Sequence, residues 1–237
     1  MVTTMTPDWQ CCLLCEGSSD TALANALESL LTRITRVDAS VEKRADLKGS
    51  VIDKLRCIRK YDVDVYDMIF VHRDADNAGY NARLNEITEA VNIVSSEVCS
   101  SSEKAIPVIP LIPVTMTETW ALASLYDTDQ YCQDWLKRSA SLSTSTLERR
   151  QDTKSLLRDL LDAAPGYPSV GNPQSFSRQR YSVLCSLDPK PGSTLASLSS
   201  WKALESSLAA AICEYFPWHA SFIQSPGSST SVLGLPK

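Results

Sequence analysis

The chain has 237 residues, 43% of them hydrophobic and 22% charged, which suits one sizeable α/β domain with an appendage, or two small domains, with a core that needs no staples. Asp and Glu outnumber Lys and Arg by 28 to 23, a formal charge of −5, and this excludes strong sequence-independent binding of nucleic acid by the chain alone. No apolar run approaches a membrane span and Met1 to Thr6 lacks the basic and apolar regions of a signal peptide, so the expected compartment is the cytoplasm, with no membrane contact.

The first predicted strand runs from Trp9 to Cys15 and ends in Glu16-Gly17-Ser18-Ser19-Asp20. A helix is expected from Ser19 to Arg33, with Leu23, Ala26, Leu27, Leu30 and Leu31 on one face and Ser18 or Ser19 as its N-cap. Arg36 to Val41 reads as a short second strand. Ser50 to Lys60 reads as a second helix with Val51, Leu55 and Ile58 inward. The next strand, Asp67 to His72, runs into Arg73-Asp74-Ala75-Asp76-Asn77-Ala78-Gly79, and a helix is expected from Asn77 through Val91. Ile106 to Val114 is apolar but carries Pro107, Pro110 and Pro113, a spacing that favours an edge strand or extended segment.

Strands alternating with helices predict an α/β fold with a doubly wound, mostly parallel sheet, whose ligands lie outside the carboxyl ends of the strands. Two of those ends carry acids. Beyond the sheet, helices are expected at Thr117 to Leu125, capped by Thr117, at Tyr131 to Arg138, at Leu147 to Leu161 and within Leu195 to Phe216. The chain divides accordingly into a metal-binding domain at 1–138, a helical appendage or cap at 147–225 and a mobile tail at 226–237, with the Ser/Thr-rich stretch from Ser139 to Thr146 as a soft boundary.

Of the eight cysteines, Cys57, Cys99, Cys132, Cys185 and Cys213 stand singly. Strand alternation sends Cys12 to the face opposite Cys11 and Cys15, a poor geometry for tetrahedral zinc, so all are read as small buried hydrophobes.

Glu16, Asp74 and Asp76 are the candidate catalytic and metal-binding residues, since hard carboxylate oxygens hold Mg²⁺ or Mn²⁺, neutralise phosphate charge and orient an in-line attack. On an extended stretch Asp74 and Asp76 point to one side; a helical turn between them weakens that alignment. Asp20 and Glu118 are accessory candidates, Glu118 doubling as a capping acid at the first turn of its helix. Arg73 stands beside Asp74 as an ion-pair partner or a phosphate contact, and Arg56, Arg59 and Lys60 form a local basic patch that is either a second phosphate contact or a solvated helix end. His72 and Trp120 read as interior residues, and no histidine stands in a triad arrangement with Ser18 or Ser19.

The ordered pair strand-Glu16-Gly17-x-x-Asp20 and strand-Asp74-x-Asp76-x-x-Gly79 resembles the TOPRIM domain of topoisomerases, bacterial primases, recombination-repair proteins and overcoming-lysogenization-defect nucleases. Ile112 to Ala123, with Pro113, Met116, Glu118 and Trp120, is similar to a signature of small free-standing bacterial TOPRIM-like proteins of defence or mobile loci. The resemblance covers about the first 130 residues and implies Glu16 as acid/base and Asp74 and Asp76 as Mg²⁺ ligands. It lacks a primase zinc ribbon, a strand-passage tyrosine region and a P-loop. The expectation is a Mg²⁺-dependent nuclease-like phosphodiester hydrolase acting on DNA or RNA within a defence complex, with a protein partner such as an ATPase subunit. The alternatives are a non-catalytic docking subunit of such a complex and a small-molecule phosphohydrolase.

Overall fold

A computed structural model describes residues 9–97, 105–139, 143–168, 171–222 and 232–235. Its centre is a five-stranded sheet of order β2-β1-β3-β4-β5, built from β1 (Trp9–Leu14), β2 (Ala39–Lys43), β3 (Met68–His72), β4 (Ile106–Leu111) and β5 (Leu233–Leu235). The first four strands are parallel and β5 runs antiparallel to β4. The expected doubly wound α/β fold is therefore present, and its strand order reverses between β1 and β3.

Alternation along the strands feeds two cores. Cys11, Leu13, Met68, Phe70, Ile109 and Leu111 face one side, and Cys12, Leu14, Ile69, Val71, Val108 and Ile106 the other. The second side is covered by α2 (Val51–Tyr61) and α3 (Tyr80–Ser96). The first is covered by α1 (Leu23–Thr35) together with the helices after the sheet: α4 (Thr117–Thr128), α5 (Gln130–Ser139), α6 (Thr153–Ala163), α7 (Pro173–Cys185), α8 (Thr194–Ser197) and α9 (Ser199–Tyr215). The helical appendage expected at 147–225 thus shares one continuous core with the sheet. On α1, Leu23, Leu27, Leu30 and Leu31 are fully buried, each contributing roughly 2 kcal/mol of hydrophobic stabilisation. Cys11 and Cys15 lie in one core and Cys12 in the other, as the alternation requires; Cys99 lies outside the described residues.

Several expectations shift. Leu233–Leu235, placed in a mobile tail, forms a strand on the sheet. This makes β4 an interior strand and not an edge. Its prolines are tolerated because each falls outside one ladder: the pairing with β3 covers Val108 to Leu111 and excludes Pro107, and that with β5 covers Ile106 to Val108 and excludes Pro110. A 3₁₀ turn at Ser18–Ala22 precedes α1, so neither Ser18 nor Ser19 caps that helix and its N-cap position falls to Ala22. The segment from Leu147 divides into a 3₁₀ turn, Thr144–Arg149, and α6. The helix α7 was not anticipated at all, although Asn172 caps it by accepting from the Ser175 amide and Pro173 occupies its first turn. Among the described residues no helix is long and apolar enough to cross a membrane.

Candidate functional site

The parallel register sets Leu14 beside Val71, and two rungs further on Glu16 falls beside Arg73. The two side chains form an ion pair, and Arg73 reaches Glu86 of α3 as well, Nη2 lying 3.2 Å from Oε2. Arg73 was expected beside Asp74; it turns instead to the α3 side, since strand alternation carries it to the opposite face. Arg83 completes this group, with Nη1 donating to Glu86 Oε2 at 2.9 Å and Nε to the Asp74 carbonyl at 3.0 Å.

Asp74 belongs to the other face. Its Oδ1 accepts from the Thr117 amide at 2.8 Å and from the Thr117 hydroxyl at 2.9 Å, and lies 3.5 Å from His72 Nε2. Thr117 was expected to cap α4; Met116 holds that position with no side-chain bond, and the cap comes from β3 instead. Burial works against the Asp74 charge, but the contacts with His72 and Thr117 outweigh it and leave the carboxyl below its ordinary range. His72 is buried and its Nε2 lies 2.9 Å from the Thr117 hydroxyl, so its interior reading holds, as does that of Trp120.

Asp76 does not join Asp74. Ala75 adopts a right-handed helical conformation and Asp76 a left-handed one, with φ 43°, so the chain turns between them and Asp76 points to solvent. The turn is pinned by Asp76 N–H to the Thr115 carbonyl at 2.7 Å and Ala75 N–H to the Pro113 carbonyl at 3.1 Å. Glu16, Asp74 and Asp76 therefore do not converge. Among the described residues no group of three or more His, Cys, Asp or Glu side chains stands ready to hold a metal ion.

What does converge is a cleft of about 260 Å³ between the sheet edge and the helices of the appendage, lined by Asp20, Asp74, Glu118, Lys154, Arg158 and Arg180, among others. Arg180, only 6% exposed, joins two of the acids: Nε donates to Glu118 Oε1 at 2.9 Å and Nη2 to Asp20 Oδ1 at 2.7 Å. Burial opposes its charge, yet Glu118 and Asp20 hold its pKa above the usual value. One atom on each side of this contact, Arg180 Nη1 and Glu118 Oε2, is buried without a hydrogen-bond partner. Such orphans are rare in native interiors and mark a place for a ligand or solvent. On the rim, Lys154 and Arg158 stand one turn apart on α6, Arg158 over the Phe176 ring at 4.8 Å.

Arg180, Lys154 and Arg158 were missed. The signal for Arg180 lay in its spacing: Phe176, Arg180, Val183 and Leu184 fall on one helical face, so a guanidinium occupies a core position and demands buried acids. Arg56, Arg59 and Lys60, expected as phosphate contacts, lie away from the cleft. The helix α2 leaves the carboxyl edge at Val51, and at 1.5 Å per residue these three are roughly 8–14 Å further along it. Arg56 binds Glu97, with Nε to Oε1 at 3.0 Å, Arg59 donates to the Val94 carbonyl at 3.1 Å, and Lys60 lies over the Tyr61 ring. They form the solvated helix end that was the other reading of the patch.

In comparisons with protein-family models, with curated proteins and with solved structures, the chain matches none.

Proposed function

We propose that the chain is a Mg²⁺- or Mn²⁺-dependent hydrolase of phosphodiester bonds in nucleic acid, acting in the cleft between β3, α4, α6 and α7. The observation that carries this reading is the facing of acids and cations in one cleft at the carboxyl edge of the sheet: Asp20, Asp74 and Glu118 against Lys154, Arg158 and Arg180. A structural ion pair needs no open cleft. A phosphate substrate needs cations to receive its charge and ionised carboxylates to manage the ion or the water that accompanies it.

Mg²⁺ commonly takes one or two protein carboxylates and completes its shell with water and substrate phosphate. Glu118, with its unpartnered Oε2, and Asp74, which engages Thr117 through Oδ1, fit that demand and would hold the ion. Bound there, it would neutralise phosphoryl charge as a Lewis acid. Arg180, fixed by Asp20 and Glu118, supplies a positive charge to the cleft wall without reorganising, and Lys154 and Arg158 hold flanking phosphates of a polymer. We assign no step to Glu16, which is paired with Arg73, or to Asp76, which is exposed. A chain of charge −5 meets a polyanion poorly on its own, so a partner that delivers the substrate belongs to the proposal.

The test is cleavage of plasmid DNA, RNA and free nucleotides with Mg²⁺ or Mn²⁺, beside Glu118→Gln. The expected result is polynucleotide cleavage that E118Q abolishes. Cleavage untouched by E118Q overturns the site, turnover of nucleotides alone moves the chain to the small-molecule phosphohydrolases, and turnover of nothing leaves the docking-subunit reading.

A further inference from the structure

A second cavity, of about 110 Å³, opens on the other face of the same sheet edge, between the ends of β1 and β3 and the first turn of α2. Lys54 lines it. This lysine is 8% exposed, its ammonium donates to the Cys15 carbonyl at 2.5 Å, and no acidic side chain pairs with it among the described residues. Lysine is almost never buried to this degree without a counter-charge, because desolvating an ammonium is costly. Burial is the main influence on its pKa, which is lowered accordingly. On the facing wall stands Arg73, whose Nη atoms serve Glu16 and Glu86 while its Nε is buried with no hydrogen-bond partner.

We infer that this cavity binds a phosphate-sized oxyanion, with Lys54 and Arg73 as the recognising groups. Two cationic side chains, each with a donor left over, face a space that suits one tetrahedral oxyanion and is too small for a nucleoside. Leu14, Val51 and Val71 supply an apolar floor that keeps water out and strengthens the contact. The site lies where the strand order reverses, the place at which doubly wound sheets receive ligands. It does not depend on hydrolysis in the cleft. The source of the oxyanion is either free orthophosphate or the terminal phosphate of a nucleotide chain, and both offer the same chemistry to Lys54 and Arg73.

The experiment is thermal melting of the full chain at fixed ionic strength, titrated with sodium phosphate against sodium chloride, and with a short 5′-phosphorylated oligonucleotide against its unphosphorylated form. A ligand that binds only the folded state raises the melting temperature with its concentration. Wild type is expected to rise with one or both phosphate probes, while Lys54→Met, freed of an unpaired buried charge, melts at or above wild type without phosphate and does not respond. Response to orthophosphate alone assigns the free ion, and response to the phosphorylated oligonucleotide alone assigns a chain end. Wild type that ignores both probes, or K54M that responds like wild type, overturns the inference. Should K54M fail to fold, a wild-type crystal soaked in tungstate decides: density between Lys54 and Arg73 supports the site, and its absence there overturns it.

Discussion

Asp74 and Thr117 are joined twice, for Asp74 Oδ1 accepts both the amide of Thr117 at 2.8 Å and its hydroxyl at 2.9 Å. A carboxylate at the end of β3 thereby caps α4, satisfying one of the amides that a helix start leaves open and placing negative charge at the positive end of the helix dipole. The same contact holds Glu118, one residue further on, over the cleft. Asp74 is thus a structural residue and a candidate site residue at once.

Replacing Asp74 by Ala is expected to cost about 1–2 kcal/mol of stability, the usual range for loss of a side-chain cap, measured by urea denaturation. The capping contribution also depends on pH. The folded-state pKa of Asp74 lies below its ordinary value of 3.8, so its stabilisation is complete above that value and is lost as the pH falls below it toward the folded pKa. Wild type and D74A should converge in stability across that acidic window; curves that stay parallel to the lowest pH would refute the cap.

Removing the charge of Arg180 should do more damage. Arg180→Met leaves Asp20 and Glu118 buried without their cation, a change that typically costs about 3–5 kcal/mol. Neutralising the acids as well, in an Asp20→Asn, Glu118→Gln, Arg180→Met triple variant, should recover most of that loss. Denaturant unfolding of the single and triple variants gives the answer. Equal stability of R180M and wild type would mean that the three charges are not coupled.

The sheet was legible because parallel strands buried on both faces read as short apolar runs, and β1, β3 and their acidic ends announced themselves in this way. The site was legible only in part. Asp74 and Glu118 were identified, but periodicity carries no sign of the turn at Ala75 and Asp76 that parts Asp76 from Asp74. Nor does it show that Arg73 prefers Glu16 and Glu86 to its neighbour in sequence. Arg180 lay hidden for a different reason: α7 is short of long apolar residues, and its partners lie 62 and 160 positions away in the chain. Such pairings are set by the packing of the appendage on the sheet, which no local window contains.

Glu148 offers a test of that packing. Its two oxygens cap α9 from the preceding 3₁₀ turn, Oε2 accepting from the Ser199 amide at 2.8 Å and Oε1 from the Ser200 amide at 2.9 Å. Ser200 in turn accepts from Trp120 Nε1 at 2.9 Å, so the cap extends into the core of α4. Burial opposes the charge of Glu148, yet bonds from Ser200 and Ser199 hold its pKa below the ordinary value. Glu148→Gln keeps the shape and loses the charge and one acceptor, with an expected cost of about 1 kcal/mol that shrinks as the pH falls below about 4.5. Circular-dichroism melts at neutral and acidic pH measure it, and a cost that grows on acidification would contradict the assignment.

The two basic groups of the chain make opposite predictions for nucleic-acid binding. Lys154 and Arg158 face the cleft, whereas Arg56 and Arg59 are occupied by Glu97 and the Val94 carbonyl and lie with Lys60 down α2. Phosphate binding by the α6 pair releases counterions, so Lys154→Ala with Arg158→Ala should weaken binding and reduce the slope of log K against log salt by about one for each cation removed. Neither change removes a buried partner, since both residues are exposed, so the folded stability should stay within about 0.5 kcal/mol of wild type. Replacing Arg56, Arg59 and Lys60 by Ala together should leave the salt slope where it was. Fluorescence anisotropy of a labelled oligonucleotide across a salt series separates the two groups; a slope that responds to the α2 triple change and ignores the α6 pair would move the nucleic-acid face from the cleft to the opposite side of the sheet.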